Sequence, residues 1–253
     1  MATVFITGAA SGIGLAAAKR LHAAGWQLGL TDANAEALAQ VAAELGAWSQ
    51  VLDVRDAVAV KAAVDDFVAA HGGQLNLCFN CAGVLRTGAF EKMPAEHHAL
   101  LLDVNVKGVL NVLLGSFEAL KATPGALVVN MSSASALYGT PDFATYSATK
   151  FAVRALTESL GVEWRKHDIQ VVDLMPPFVK TPMADANYSP IMDRMGVELT
   201  AEDIAEALYA LIHKKHRPVH NPVGLKFKAT VLASKILPTE MTRVVMRYLS
   251  RGL

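Results

Sequence analysis

An α/β fold, a doubly wound parallel sheet flanked by helices on both faces, is predicted for this 253-residue chain by three observations. Short apolar, β-branched runs alternate with Ala-rich segments of helical period along most of the sequence. Two of those runs, Ala126–Ser132 and Ile169–Met175, are almost continuously apolar, as strands covered on both sides must be. No linker, repeat or low-complexity stretch interrupts the pattern, so residues 1–253 are expected to form a single domain.

The elements follow in order. Thr3–Thr7 reads as a first strand that stops at Gly8. Gly12–Ala24 is a helix ended by Gly25, and Trp26–Thr31 a second strand. Asn34–Leu45 is helical with Gly46 as its C-cap. Trp48–Asp53 is a third strand, Ala57–His71 a helix stopped by Gly72 and Gly73, and Leu75–Asn80 a fourth strand. Two long helices, Glu96–Ala122 and Tyr146–His167, flank the strand Ala126–Ser132, and Ile169–Met175 follows. Strands alternating with helices imply βαβ units, whose right-handed crossovers give parallel pairing. After Pro176 the pattern loosens. Residues 182–199 read as a substrate lid of loop or short helices. Thr200 then opens a helix to about His213, with Asp203 at N3 in a near capping box.

Composition narrows the function classes. Hydrophobic residues make up 53% and charged residues 18%, which excludes a disordered or fibrous chain. Two cysteines allow no disulfide framework, and the N-terminus has no basic region before an apolar run. A reducing, cytoplasmic setting is therefore expected. The uncharged run from Ala122 up to Asp142 is broken by Pro124, Gly125, Asn130 and Gly139, poor material for a spanning helix. The formal net charge of zero hides an asymmetry: residues 214–253 carry nine Lys/Arg and one acid, against 14 Lys/Arg and 22 Asp/Glu before them. A basic tail on an acidic body suits the body itself, a partner subunit or an anionic surface. No nucleic-acid partner is expected.

Three motifs carry chemistry. In Thr7-Gly8-Ala9-Ala10-Ser11-Gly12-Ile13-Gly14, between a strand and a helix, Gly8 permits a tight turn and Gly12 lets backbone approach a pyrophosphate. Gly14 lets helix and strand pack closely, and the free amides with the positive helix end meet the phosphates. The spacing is G-x-x-x-G-x-G rather than the commoner G-x-G-x-x-G. Asp32 ends the second strand, where a carboxylate accepts both adenosine ribose hydroxyls and repels a 2′-phosphate. Ser11 and Ala33 are neutral, so NAD is favoured over NADP. Tyr146 and Lys150, at i and i+4, share a helix face. An ammonium beside a phenol is expected to favour the phenolate, a general base for alcohol oxidation or an acid for ketone reduction. Cys78 and Cys81 form a C-x-x-C with no second pair or matching His, so no metal site is expected.

Together with Asn80-Cys81-Ala82-Gly83, Asn105 and Ser132-Ser133, these motifs stand in the order and spacing of one family. The chain resembles a short-chain dehydrogenase/reductase of the single-domain branch, over about residues 3 to 213. The resemblance implies a Rossmann-type fold and a catalytic set of Asn105, Ser133, Tyr146 and Lys150. Ser133 bonds the substrate oxygen, Asn105 holds a water in a proton relay, and Lys150 also binds the nicotinamide ribose. It implies a cofactor set in which Gly8, Ser11, Gly12, Ile13 and Gly14 cradle the pyrophosphate and Asp32 selects the ribose. Asp53 bonds the adenine, with Val54 beside it. Asn80, Ala82 and Gly83 form a turn along the adenosine ribose, and Val179 and Thr181 hold the carboxamide. Two departures stand out: Cys81 replaces a second Asn, and Pro176-Pro177 replaces Pro-Gly, which removes an N–H near the nicotinamide. The two long helices match those through which the family forms dimers and tetramers, so a homodimer or homotetramer is expected.

The expected activity is an NAD-dependent oxidoreductase. It transfers a hydride between the cofactor and an apolar secondary alcohol or ketone, a hydroxysteroid, retinoid or long-chain alcohol. The competing readings are an NADP-dependent carbonyl reductase, a non-catalytic NAD-binding redox sensor, and a membrane-surface protein. The tail, residues 220–253, is read as a basic amphipathic helical extension similar to those of retinol- and hydroxysteroid-oxidising members. Met241, Val244, Val245, Tyr248 and Leu249 form an apolar stripe beside Arg243, Arg247 and Arg251, with Thr239 after Pro238 as N-cap and a second apolar segment at Val231–Leu237. The stripe packs on its own subunit or a partner, makes a peripheral membrane contact, or caps the substrate pocket.

Overall fold

The computed structural model describes residues 1–234, 236 and 239–250. The chain runs β1 (Thr3–Thr7), α1 (Gly12–Ala23), β2 (Gln27–Asp32), α2 (Ala35–Leu45), β3 (Trp48–Val51), α3 (Ala57–Ala70) and β4 (Leu77–Asn80). It continues with α4 (Ala95–Leu102), α5 (Val109–Lys121), β5 (Leu127–Met131), α6 (Ala144–Glu163) and β6 (Gln170–Met175). Then come β7 (Val179–Lys180), α7 (Pro182–Asp185), α8 (Pro190–Met195), β8 (Leu199–Thr200), α9 (Ala201–Ile212), β9 (His220–Pro222), α10 (Leu225–Ser234) and α11 (Thr239–Leu249).

Seven strands pair in parallel in the order β3-β2-β1-β4-β5-β6-β9, the doubly wound sheet the alternation predicts. Strand periodicity sends alternate side chains to opposite faces. Val4 and Ile6 join the layer formed with α1, α2 and α9, around Ala17, Leu21, Leu38 and Leu208. Phe5 between them joins the opposite layer, with Val64 and Phe67 of α3, Val112 of α5 and Val153 of α6. Buried apolar clusters cover both faces of the sheet, which is why the strands carry continuous apolar runs.

Two helices differ from expectation. The predicted helix Glu96–Ala122 is divided by a π-helical turn over Asp103–Gly108, where Asn105 turns its amide to the backbone of Val84. The continuous stretch Ala95–Lys121 is long and apolar enough to cross a membrane, yet half of its most apolar window is buried against the fold. The predicted helix Tyr146–His167 starts two residues early and tightens into a 3₁₀ turn at Trp164–His167. Residues 182–199 hold α7 and α8, and the parallel pair β7–β8 closes the neck of the segment. The Thr200–Asp203 capping box forms as expected. Leu237, Pro238 and Arg251, and with Pro238 the cap expected at Thr239, lie outside the described residues.

One ionic cluster ties the last strand to α6. His220 meets Asp173 through Nδ1 at 2.7 Å and Glu158 through Nε2 at 2.8 Å. Two carboxylates accept only, so the ring serves both when doubly protonated. Hydrogen bonding to fully buried Asp173 raises the His220 pKa. A raised folded-state pKa gives stability that is complete below the unfolded value of about 6.5 and fades as pH rises through the folded value. The melting temperature of the native chain is therefore expected to exceed that of His220→Gln most at about pH 6, the gap narrowing toward about pH 9. A gap constant across that range would mean that the ring acts by packing alone.

Candidate active site

The strand order reverses between β1 and β4, and a crevice forms at the carboxyl ends of such strands. A cavity of about 430 Å³ opens there. Gly8, Ser11, Gly12, Ile13 and Gly14 line it from the β1–α1 turn, and Asp32 from the end of β2. Asp53, Val54, Ala82 and Gly83 line it from the turns after β3 and β4, and Val179 and Thr181 from the stretch leading to the lid. Ser133, Tyr146 and Lys150 share the same cavity. Residues far apart in sequence are thus gathered at one wall by the parallel sheet.

The glycine loop has the geometry of a cradle. Gly8 sits at φ +69°, and a Cβ there would lie 2.8 Å from the Cα of Ala82. A Cβ on Gly14 would lie 2.0 Å from the carbonyl oxygen of Gly8, so only glycine lets α1 approach β1 this closely. Ser11 makes no side-chain cap bond to α1, which leaves the first-turn amides facing the cavity. Asp32 straps the loop, accepting from the amides of Ala10 at 3.0 Å and Asn34 at 2.9 Å. A dinucleotide fits this donor set: bare backbone for a pyrophosphate, a carboxylate for a ribose, and at Ser132 a buried hydroxyl in the cavity wall without a partner among the described residues.

The catalytic candidates stand close together. Lys150 sends its ammonium to the carbonyl of Met131 at 2.8 Å, with Nζ 5.5 Å from the centre of the Tyr146 ring. Burial lowers the Lys150 pKa to about 8. Tyr146 runs against the expected direction. Burial pushes its phenol up to about 12, only partly offset by a hydrogen bond with Ser133. The same desolvation that weakens the ammonium keeps the tyrosine proton on, so in the unliganded site Tyr146 is an acid rather than a phenolate. Ser133 also accepts from the amide of Ser135 at 3.2 Å, which fixes its rotamer.

Two predicted residues do not line the cavity. Asn80 points into the sheet–α6 layer, where its amide donates to Asn130 at 2.8 Å and Asn130 in turn to Thr157 at 2.9 Å. It links β4, β5 and α6 and does not line the ribose turn as expected. Asn105 accepts from the amide of Val84 at 2.8 Å and donates to the Val84 carbonyl at 2.9 Å and to Thr149 at 3.3 Å. Its side chain is thus engaged by protein and clamps the turn after Gly83 to α6. At the two departures, Thr7 Oγ1 accepts from the amides of Cys81 and Ala82, at 3.2 and 3.1 Å, holding that loop. The Pro176 carbonyl accepts from Ala134 at 2.8 Å. Burial raises the thiols of Cys78 and Cys81 to about 12, which keeps them protonated and inert.

Sequence reasoning missed Arg55 and much of the apolar wall. Arg55 grips Asp53 with Nε at 2.9 Å and Nη2 at 2.5 Å and holds its carboxyl below the usual range. The i, i+2 acid–base spacing was the available signal. Leu100 and Val104 line the same cavity, Val104 in the layer that holds Val54, and Leu85, Phe143, Phe178 and Met192 cluster with Tyr146 as an apolar wall. Behind it, Leu249 of α11 packs into a cluster with Leu85, Phe143, Ile191 and Met192. Arg194 of α8 donates to the Leu249 carbonyl at 2.7 Å, so the tail closes over the lid.

Known proteins resemble this chain in sequence and in fold. The family model described as short chain dehydrogenase matches residues 2–191. A 3-alpha-(or 20-beta)-hydroxysteroid dehydrogenase of Mycobacterium tuberculosis is 36% identical over 182 residues, covering 71% of this chain and 70% of that protein. A crystal structure of a short chain dehydrogenase/reductase from Burkholderia phymatum in complex with NAD superposes with a TM-score of 0.81 at 29% identity, covering 91% of this chain and 92% of the other. An alcohol dehydrogenase from the archaeon Thermococcus sibiricus complexed with 5-hydroxy-NADP gives a TM-score of 0.79 at 26% identity, covering 88% and 96% of the two chains.

Proposed function

The chain belongs to the short chain dehydrogenase family, and from that premise we propose an NAD-dependent oxidoreductase acting on an apolar secondary alcohol or the corresponding ketone. One observation carries the reading: Ser133, Tyr146 and Lys150 open onto the same cavity as the glycine cradle. When bound, the nicotinamide dinucleotide supplies or takes the hydride. It would be held by the amides of Gly12, Ile13 and Gly14, by Asp32 and Asp53, by Ala82 and Gly83, and by Val179 and Thr181, with Lys150 toward the nicotinamide ribose.

The chain's own groups manage the proton and the charge. In reduction Tyr146 donates its proton to the carbonyl oxygen of the substrate, and Ser133 donates a hydrogen bond to that oxygen as charge develops on it. In oxidation the same phenol recovers the proton after positive charge in the site has lowered its pKa. Lys150 supplies part of that charge and the exit for the proton. Asn105 serves as a positioning residue that keeps the Val84 turn and Thr149 in place. The apolar wall of Leu85, Phe143, Phe178 and Met192 beside Tyr146 favours a hydrocarbon-rich substrate of hydroxysteroid, retinoid or long-chain type. The hydroxysteroid-oxidising relative fits the same class.

Self-association belongs to this reading. Leu110 and Leu114 of α5 and Phe151 and Val162 of α6 stand exposed on the outer faces of the two long helices, the surface a homodimer or homotetramer would cover.

Cofactor choice tests the assignment of Asp32. Calorimetric titration is expected to give tighter binding of NADH than of NADPH to the native chain. Asp32→Ala should narrow that preference by on the order of tenfold, because a like-charge clash with the 2′-phosphate is removed. Preference of the native chain for NADPH would overturn the Asp32 argument.

A further inference from the structure

The α11 helix is built inside out. At 100° per residue, Met241, Val244, Val245 and Tyr248 fall within one arc of about a quarter turn. That arc faces outward: Val244 is 66% exposed, Tyr248 64%, Val245 52% and Met241 50%. The contacts to the protein come from the edge of the stripe, where Leu249, next to Val245 around the helix, enters the lid cluster and accepts from Arg194. Arg243 and Arg247 lie on the remaining side, exposed, with no ion-pair partner among the described residues. The preceding helix adds to the pattern, with Leu225 and Leu232 exposed beside Lys226 and Lys228.

Burial of four large apolar side chains is favourable, and water does not supply it. We propose that α11 is an interfacial anchor that seats the lid side of the molecule on an anionic lipid surface. Charge supports this occupant. The tail carries nine Lys/Arg and one acid, while residues 1–213 carry an excess of acids, so such a surface attracts the tail and repels the body. The helix then lies in the interface plane, its stripe among the acyl chains and its arginines at headgroup phosphates. A second copy of the chain fits less well. Eleven residues of helix span about 16 Å, and their stripe falls short of the roughly 800 Å² per partner of a stable interface. A symmetric pairing would also bring Arg243 and Arg247 against themselves. Because Leu249 touches the lid cluster, docking sets the apolar pocket wall beside the bilayer. The docking stands independently of the reaction assigned to the pocket.

Sedimentation of the full chain with vesicles tests it. Phosphatidylcholine vesicles containing about a third phosphatidylglycerol are expected to carry the protein down, neutral phosphatidylcholine vesicles much less, and added salt should release it. The double substitution Val244→Asp and Val245→Asp should leave the protein in the supernatant with an unchanged melting temperature. Arg243→Gln with Arg247→Gln should weaken partition by on the order of tenfold, a readout that survives if the first pair disturbs folding. Failure of the native chain to sediment with anionic vesicles overturns the proposal. So does equal binding by the aspartate variant, or a native assembly in solution that this variant breaks down without any vesicle binding.

Discussion

The Tyr146→Phe variant is expected to lose roughly 10²- to 10⁴-fold in kcat while binding NADH as the native chain does. The substitution removes one oxygen and leaves the ring in place. That ring packs edge-on to Phe143 with centroids 6.3 Å apart, so the wall of the pocket keeps its shape. What is lost is the phenol hydroxyl that meets Ser133, whose pKa burial raises to about 12. Ser133 remains as a hydrogen-bond donor to the substrate oxygen, but its hydroxyl is too weak an acid to replace the phenol. The loss should therefore fall on kcat, with KM for an apolar substrate little changed. Steady-state kinetics beside a calorimetric titration and a melting curve separate these effects. A kcat within a few-fold of native would remove Tyr146 from the proton-transfer role.

Gly14→Ala is expected to damage both the fold and the cofactor site. The added Cβ meets the carbonyl oxygen of Gly8 at 2.0 Å and its carbon at 2.8 Å, backbone atoms that no rotamer change relieves. α1 must move off β1, against the packing of Ala17 and Leu21 in the layer shared with α9. Overpacking of this kind costs about 1–3 kcal/mol, a fall of several degrees in melting temperature for a domain of this size. The first-turn amides move with the helix, so dinucleotide affinity should drop on the order of a hundredfold, as displacements near 1 Å do in positioned sites. Gly139→Ala is the control, since a Cβ there meets nothing within 4 Å. Equal behaviour of the two variants would mean that α1 has slack and that the loop is no cradle.

Much of this architecture is legible in the sequence because its causes are local. A strand that ends at Gly8, a helix that opens at Gly12 and a carboxylate closing β2 each follow from neighbouring residues. The runs Ala126–Ser132 and Ile169–Met175 announce strands covered on both faces, and the two layers around Val4 and Phe5 are the consequence. The readings that went astray depend on contacts across the fold. The π turn at Asp103–Gly108 is accompanied by an amide pairing between Asn105 and Val84, 21 residues away. Asn80 is set by Asn130, 50 residues on, in a buried chain that residue type alone does not announce. The protonation of Tyr146 turns on how far burial outweighs its hydrogen bond with Ser133. The seating of Leu249 on the lid joins the tail to a segment some 50 residues earlier, visible only once α8 and α11 are placed.

In the proposed reaction this cavity moves a hydride between a nicotinamide and an apolar carbonyl, with Tyr146 supplying the proton. Incubation of the native chain with an apolar ketone and NADH doubly deuterated at C4, followed by mass spectrometry of the alcohol, tests it most directly. The expected product is an alcohol bearing a single deuterium at the carbinol carbon, formed by the native chain and roughly 10²- to 10⁴-fold more slowly by Tyr146→Phe. An alcohol without deuterium, or no alcohol from any apolar ketone while NADH stays bound, would contradict it.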